Sequence, residues 1–176
     1  MDEIIIDAWN LEDIDAVFAE IIEKYGQDML QLTFSYVNNK ALAEDLTQDI
    51  FVKCYKSLHT YKQNSSLKTW LWRIAINHCK DYLKSWYNKN VVEMQNEGSL
   101  TSNGEMVEDV IIQREEEERL VSFVMKLPVK YREVIYLYYF EELTIKEISL
   151  IIHVNENTIK TRMKKAKALL KKEWRD

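Results

Sequence analysis

The chain of 176 residues has few places to turn: three glycines (Gly26, Gly98, Gly104) and one proline, Pro128. Glycine and proline punctuate loop-rich and β folds, so their scarcity points to long helices. Two cysteines, Cys54 and Cys79, are too few for a disulfide framework and suit a reducing cytoplasm, the expected location. No apolar run is long enough to cross a bilayer, and the acidic start MDEIIIDAW holds an apolar run of three. Neither a signal peptide nor direct membrane insertion is therefore expected. The chain also lacks a phosphate-cradling loop and a nucleophile elbow, which argues against an enzyme and leaves no catalytic residue to name. Cys54, His59, His78 and Cys79 show no ligand spacing, so neither a metal nor a cofactor is expected.

What is present is apolar residue enough for packed cores, 47% of the chain, and an uneven charge. The net charge of −5 conceals four blocks of alternating sign. Residues 61–90 hold six bases and one acid (Asp81), and residues 126–176 hold twelve bases and seven acids. The blocks before each are strongly acidic. Two basic blocks on one chain suggest two contacts with a polyanion, ordinary solvated helix surface being the simpler alternative.

Helical spacing organises nearly everything else. Ile14, Val17, Phe18, Ile21, Ile22 and Tyr25 start a pattern that Met29, Leu32, Tyr36 and Val37 continue, until Asn38-Asn39 interrupts it. Leu46, Ile50, Cys54 and Leu58 form a second stripe. Leu71, Ile74, Ala75, His78 and Tyr82 form a third, after the polar loop HTYKQNSS. The pattern stops at Asn88 and resumes in a helix expected from about Glu108 to Lys126, with Ile111, Leu120, Phe123, Val124 and Leu127 available for burial. Pro128 ends that helix and VKYREVIYLYYFEEL begins another. Thr144 with Glu147 fits a capping box, and Asn155 is a good N-cap for a last helix ending near Trp174. Two short helices joined by a tight turn, the second basic, form a helix-turn-helix pattern. The fold expected is all-α: two small helical domains, 8–88 and 108–176, joined by a flexible linker over 89–107.

Three groups of residues carry candidate chemistry. In the third helix Arg73, Asn77, Lys80 and Lys84 share one face, suited to the phosphates and base edges of one strand. Trp70, Trp72 and Trp86 are read either as core or, at the helix start, as platforms for unpaired bases. In the last helix Asn157, Lys160, Thr161 and Lys164 would face major-groove edges, and Arg162 and Lys165 phosphate. Ile159, Met163, Ala166 and Leu170 would be its buried stripe. Asp45 and Asp49 repel each other at i, i+4 beside Gln48; solvated surface accounts for them, and so does an outside partner.

AEDLTQDIFVKCYKSL, SSLKTWLWRIAINHCKDYL and LPVKYREVIYLYYFEELTIKEISLIIHVNENTIKTRMKKAKALL, in that order, resemble the extracytoplasmic-function sigma factors of the sigma-70 family. The resemblance implies a factor that directs core RNA polymerase to promoters of a stress or envelope-response regulon. Region 2 would bind the polymerase clamp, open the promoter and hold the minus-ten element. Region 4 would bind minus-thirty-five duplex and the polymerase flap. Asp45, Gln48 and Asp49 match the polymerase-contact stretch. Lys62, Asn64, Ser65, Ser66 and Lys68, with Arg73, Asn77, Lys80 and Lys84, fall to the minus-ten strand. Thr144, Asn157, Thr158, Lys160, Thr161, Arg162, Lys164 and Lys165 fall to minus-thirty-five DNA. The implied partners are core polymerase, promoter DNA both duplex and melted, and an anti-sigma factor, free or membrane-anchored. His153 and Asn157 stand where the family commonly has glycine, and histidine tolerates positive φ better than most residues. The alternative is a helix-turn-helix regulator that works without polymerase; it accounts for residues 128–174 and leaves 61–84 and Asp45/Asp49 without a role.

Overall fold

The computed structural model describes residues 14–94 and 115–175, all helix and short connections, with no strand among the described residues. Helix α1 (Ile14–Val37) runs unbroken through both halves of its expected pattern. It stops where Asn38 adopts φ 51° and Asn39 takes extended geometry, its side chain accepting from the Leu42 amide at 2.9 Å to cap α2 (Lys40–Ser57). A single 3₁₀ turn (Leu58–Thr60) and the loop to Ser66 lead into α3 (Leu67–Met94). Ser66 Oγ accepts from the Thr69 amide at 3.1 Å, satisfying one of the first-turn donors. Helix α3 continues six residues into the segment expected as linker; 8–13, 95–107, and 108–114 with Ile111 lie outside the described residues.

Helices α4 (Glu115–Lys126), α5 (Val129–Tyr139), α6 (Ile145–Ile152) and α7 (Glu156–Arg175) follow. The capping box at α6 is complete: the Glu147 amide donates to Thr144 Oγ1 and the Thr144 amide donates back to Glu147 Oε2 at 2.8 Å. Helix α6 ends on His153 in the left-handed region, φ 55°, so histidine here does what glycine does in most such turns. The Asn155 side chain accepts from the Asn157 amide at 2.8 Å and opens α7. On α7 Ile159, Met163 and Ala166 are buried as expected, with Leu170 half-buried. Val124 on α4 and Leu127 just past its end are buried, whereas Leu120 is exposed.

The two halves pack against each other. One apolar core runs from Ile21, Met29, Leu32 and Ile50 through Leu71, Trp72, Ala75 and Ile76 to Leu137, Ile148, Ile151 and Ile159. Helix α3 is therefore covered on two sides, by α1 and α2 and by α6, while α5 lies against α1. This corrects the expected α3 stripe. The fully enclosed positions are Leu71, Trp72, Ala75, Ile76 and Cys79, while Ile74, His78 and Tyr82 are only half-buried. Thr33, Ser35 and Thr47 inside the core donate to backbone carbonyls, Thr33 to that of Met29 at 2.8 Å, so their burial carries little penalty.

Candidate nucleic-acid interface

The loop before α3 is held by its own aromatics. Tyr61 donates to the Ser65 carbonyl at 2.6 Å and its ring lies 5.4 Å from that of Trp70. Gln63 turns the chain at φ 55° and leaves Lys62 and Asn64 exposed; Ser65 and Ser66 are half-buried. Trp70 is half-buried, Trp86 is half-exposed, and Trp72 is fully enclosed, edge-on to Tyr25 at 5.8 Å. Trp72 is thus core and no stacking platform. The periodicity did not flag Tyr61; an aromatic at the mouth of a polar loop was its one visible signal.

Along α3 the expected basic row divides. Asn77 and Lys84 are exposed. Arg73 is half-buried, its Nε enclosed without a hydrogen-bond partner among the described residues. Lys80 Nζ is 2.7 Å from Glu133 of α5, and Lys68 Nζ is 2.9 Å from Glu141, just beyond α5. Lys68 also lies 5.1 Å over the Trp72 ring, an attraction of the cation for the ring face.

In the helix-turn-helix, Asn157, Thr158, Lys160, Thr161, Lys164 and Lys165 are all exposed. Of these, Asn157, Lys160, Lys164 and Lys165 present polar groups to solvent, as contact with base edges or phosphates would require. The Thr161 hydroxyl is spent locally, donating to the Asn157 carbonyl at 2.9 Å, and Thr144 is committed to its capping box. Arg162 turns inward to Glu133 at 3.5 Å.

On α2, Asp45, Gln48 and Asp49 project from the face opposite Leu46, Ile50 and Cys54 and are exposed. Asp49 Oδ2 stands 3.9 Å from His78 Nε2, and Lys53 Nζ is 2.7 Å from His78 Nδ1. An ammonium only donates, so Nδ1 accepts and the neutral ring carries its proton on Nε2. Desolvation and the Lys53 charge hold the His78 pKa below its ordinary value, against the pull of Asp49 and Asp81. Burial pushes the Cys54 and Cys79 thiols up to about 12, keeping both protonated and poor as metal ligands. Among the described residues no group of three or more His, Cys, Asp or Glu is placed to hold a metal, and no helix is long and apolar enough to cross a membrane.

Comparison with known proteins matches sigma-70 region 2 over residues 21–87 and sigma-70 region 4 over 117–170. The ECF RNA polymerase sigma factor SigW of Bacillus subtilis (strain 168) is 31% identical over 167 residues, 90% of this chain and 89% of its own length. SigM of the same organism is 34% identical over 152 residues, covering 86% and 91%. Among solved structures, the sigma factor RpoE in complex with the anti-sigma factor NepR from Bartonella quintana is similar with a TM-score of 0.68 at 22% identity, over 90% of this chain and 97% of that one. CnrH in complex with the cytosolic domain of CnrY has a TM-score of 0.63 at 21% identity, over 89% and 86%. These two speak for the fold. The matched regions, in order and spanning most of each relative, together with that identity, place the chain in the sigma-70 family, among the ECF RNA polymerase sigma factors.

Proposed function

We infer that the chain directs core RNA polymerase to specific promoters, with region 2 engaging polymerase and the melted minus-ten strand and region 4 engaging minus-thirty-five duplex. The observation that carries this reading is one chain presenting two nucleic-acid surfaces of different kinds. Helix α7 of a capped helix-turn-helix offers exposed Lys160 and Lys164 for duplex. The α3 face, with Asn77 exposed about two turns beyond Trp70, and the Tyr61/Trp70 pair at the start of that helix suit unpaired bases. Asp45, Gln48 and Asp49, exposed and acidic, are the proposed polymerase contact. The factor works by binding, the chemistry of RNA synthesis being the polymerase's, and so it acts in the cytoplasm with that enzyme. An anti-sigma factor is a proposed partner, since the two similar structures are both described as complexes, RpoE with NepR and CnrH with CnrY. A stress or envelope-response regulon is proposed as the target. A regulator independent of polymerase fits α5–α7 alone and is not favoured by relatives that match across both halves. Co-elution with purified core polymerase, followed by run-off transcription from genomic fragments, tests the reading: a stable complex with promoter-selective transcripts is expected, and duplex binding without either contradicts it.

A further inference from the structure

On α2 the order of residues favours an ion pair that the fold does not make. Asp49 and Lys53 are four residues apart on one helix, the acid N-terminal to the base, which is the better order for pairing. Asp49 is also the one acid three or four residues from Lys53. Yet Lys53 Nζ turns to α3 and lies 2.7 Å from His78 Nδ1, while the Asp49 side chain stays 68% exposed. The other ring nitrogen, Nε2, is enclosed and has no hydrogen-bond partner among the described residues, standing 3.9 Å from Asp49 Oδ2. The ring therefore takes up the cation placed to neutralise Asp49, and itself stops short of bonding to that carboxylate. The charges that act on the ring are Lys53 and Asp49 of α2 and Asp81 of α3 itself; α1 and α6, which also pack on α3, contribute none of them.

We propose that His78 is a positioning residue of the polymerase contact: its Nδ1 withholds Lys53 from Asp49 and so keeps that carboxylate unpaired for a cationic group of polymerase. The proposal rests on Asp45, Gln48 and Asp49 being that contact, whereas the Lys53–His78 geometry stands without it. With no acceptor at position 78, Lys53 returns to Asp49, and the face loses an exposed negative charge to a neighbour on its own helix. Exposed pairs are weak, so the consequence is a modest loss of affinity and not its abolition. Protonation of His78 works in the same direction. Both ring nitrogens then only donate, so Lys53 is repelled while the imidazolium attracts Asp49.

The test is fluorescence titration of the full chain and its variants with core polymerase, once circular dichroism has checked helix content. His78→Leu should weaken binding about threefold. Lys53→Met added to it should restore the affinity, which loss of a merely structural ring would not allow. His78→Asn, whose amide oxygen can accept in place of Nδ1, should keep the wild-type affinity and lose its decline below pH 6.5. In the free chain, nitrogen-15 NMR at neutral pH should show His78 protonated on Nε2, with the Nδ1 resonance moved by Lys53→Met. Full affinity in His78→Leu, a loss that Lys53→Met does not restore, or a proton on Nδ1 overturns the proposal. Where His78→Leu does not fold, an equal decline with acid in wild type and His78→Asn overturns it. A wild-type chain that does not bind core polymerase at all brings down the proposed function, and the role of His78 with it.

Discussion

Lys160 and Lys164 stand one helical turn apart on the exposed face of α7, where the proposed function has each meet a base edge or a phosphate. Because both are free in the intact chain, duplex binding can be measured without polymerase. Lys160→Ala or Lys164→Ala should weaken it by about 1–3 kcal/mol and relax sequence preference if the lysine reads a base, whereas loss of a phosphate contact weakens all sequences alike. Competition binding against duplex pools of varied sequence distinguishes these, and unchanged binding by both variants removes α7 from the groove. His78 makes a prediction of another kind. Its folded pKa lies below the ordinary 6.5, so the neutral ring is the one the fold prefers. That contribution to stability is complete above 6.5 and is lost as pH falls through the lowered folded value. Denaturant melts across this window should show stability dropping with acidification, and His78→Gln should flatten the drop; an equal slope in both proteins would place the titration elsewhere.

Helix ends were legible in the sequence because their chemistry is local. Thr144 with Glu147, Asn155 and the left-handed His153 each depend on residues within a turn or so, and each is found as expected. Thr144→Ala should cost about 1 kcal/mol, the usual worth of an N-cap, read as a lower denaturation midpoint with unchanged m-value. The face of α3 was not legible. A stripe assumes one buried side, and α3 has two, so Trp72, Ile76 and Cys79 are enclosed although they lie off the expected stripe. Nor could the buried Glu133 and Glu141 be placed: a charge inside a helical pattern reads as solvent-facing, and Tyr36, which donates to Glu133, lies 97 residues away. For α2 the converse holds, since Asp45 and Asp49 stay exposed with no basic residue of α2 itself satisfying them as a pair. Asp45→Arg with Asp49→Arg should leave the melt nearly unchanged while weakening polymerase binding, because reversal of exposed charges acts mainly on a partner's surface. Normal polymerase affinity in that variant would remove this face of α2 from the interface.

Across the molecule, the two basic blocks lie on helices that one core holds together, and the proposed function gives them different forms of DNA to bind. Duplex engagement by α7 needs no melting, whereas capture and stacking by the 61–84 block need bases that have left the helix. Asn77→Ala should therefore slow promoter opening, leave polymerase and duplex binding near normal, and be largely rescued on a template with a pre-melted minus-ten bubble. Failure of the bubble to rescue would move the defect to another step. Most direct is permanganate footprinting of thymines on promoter fragments selected by the chain together with core polymerase. The account predicts reactivity around minus ten only when both proteins are present, reduced by Asn77→Ala on closed templates and not on bubbles. Duplex protection by the chain with no polymerase-dependent thymine reactivity would contradict it.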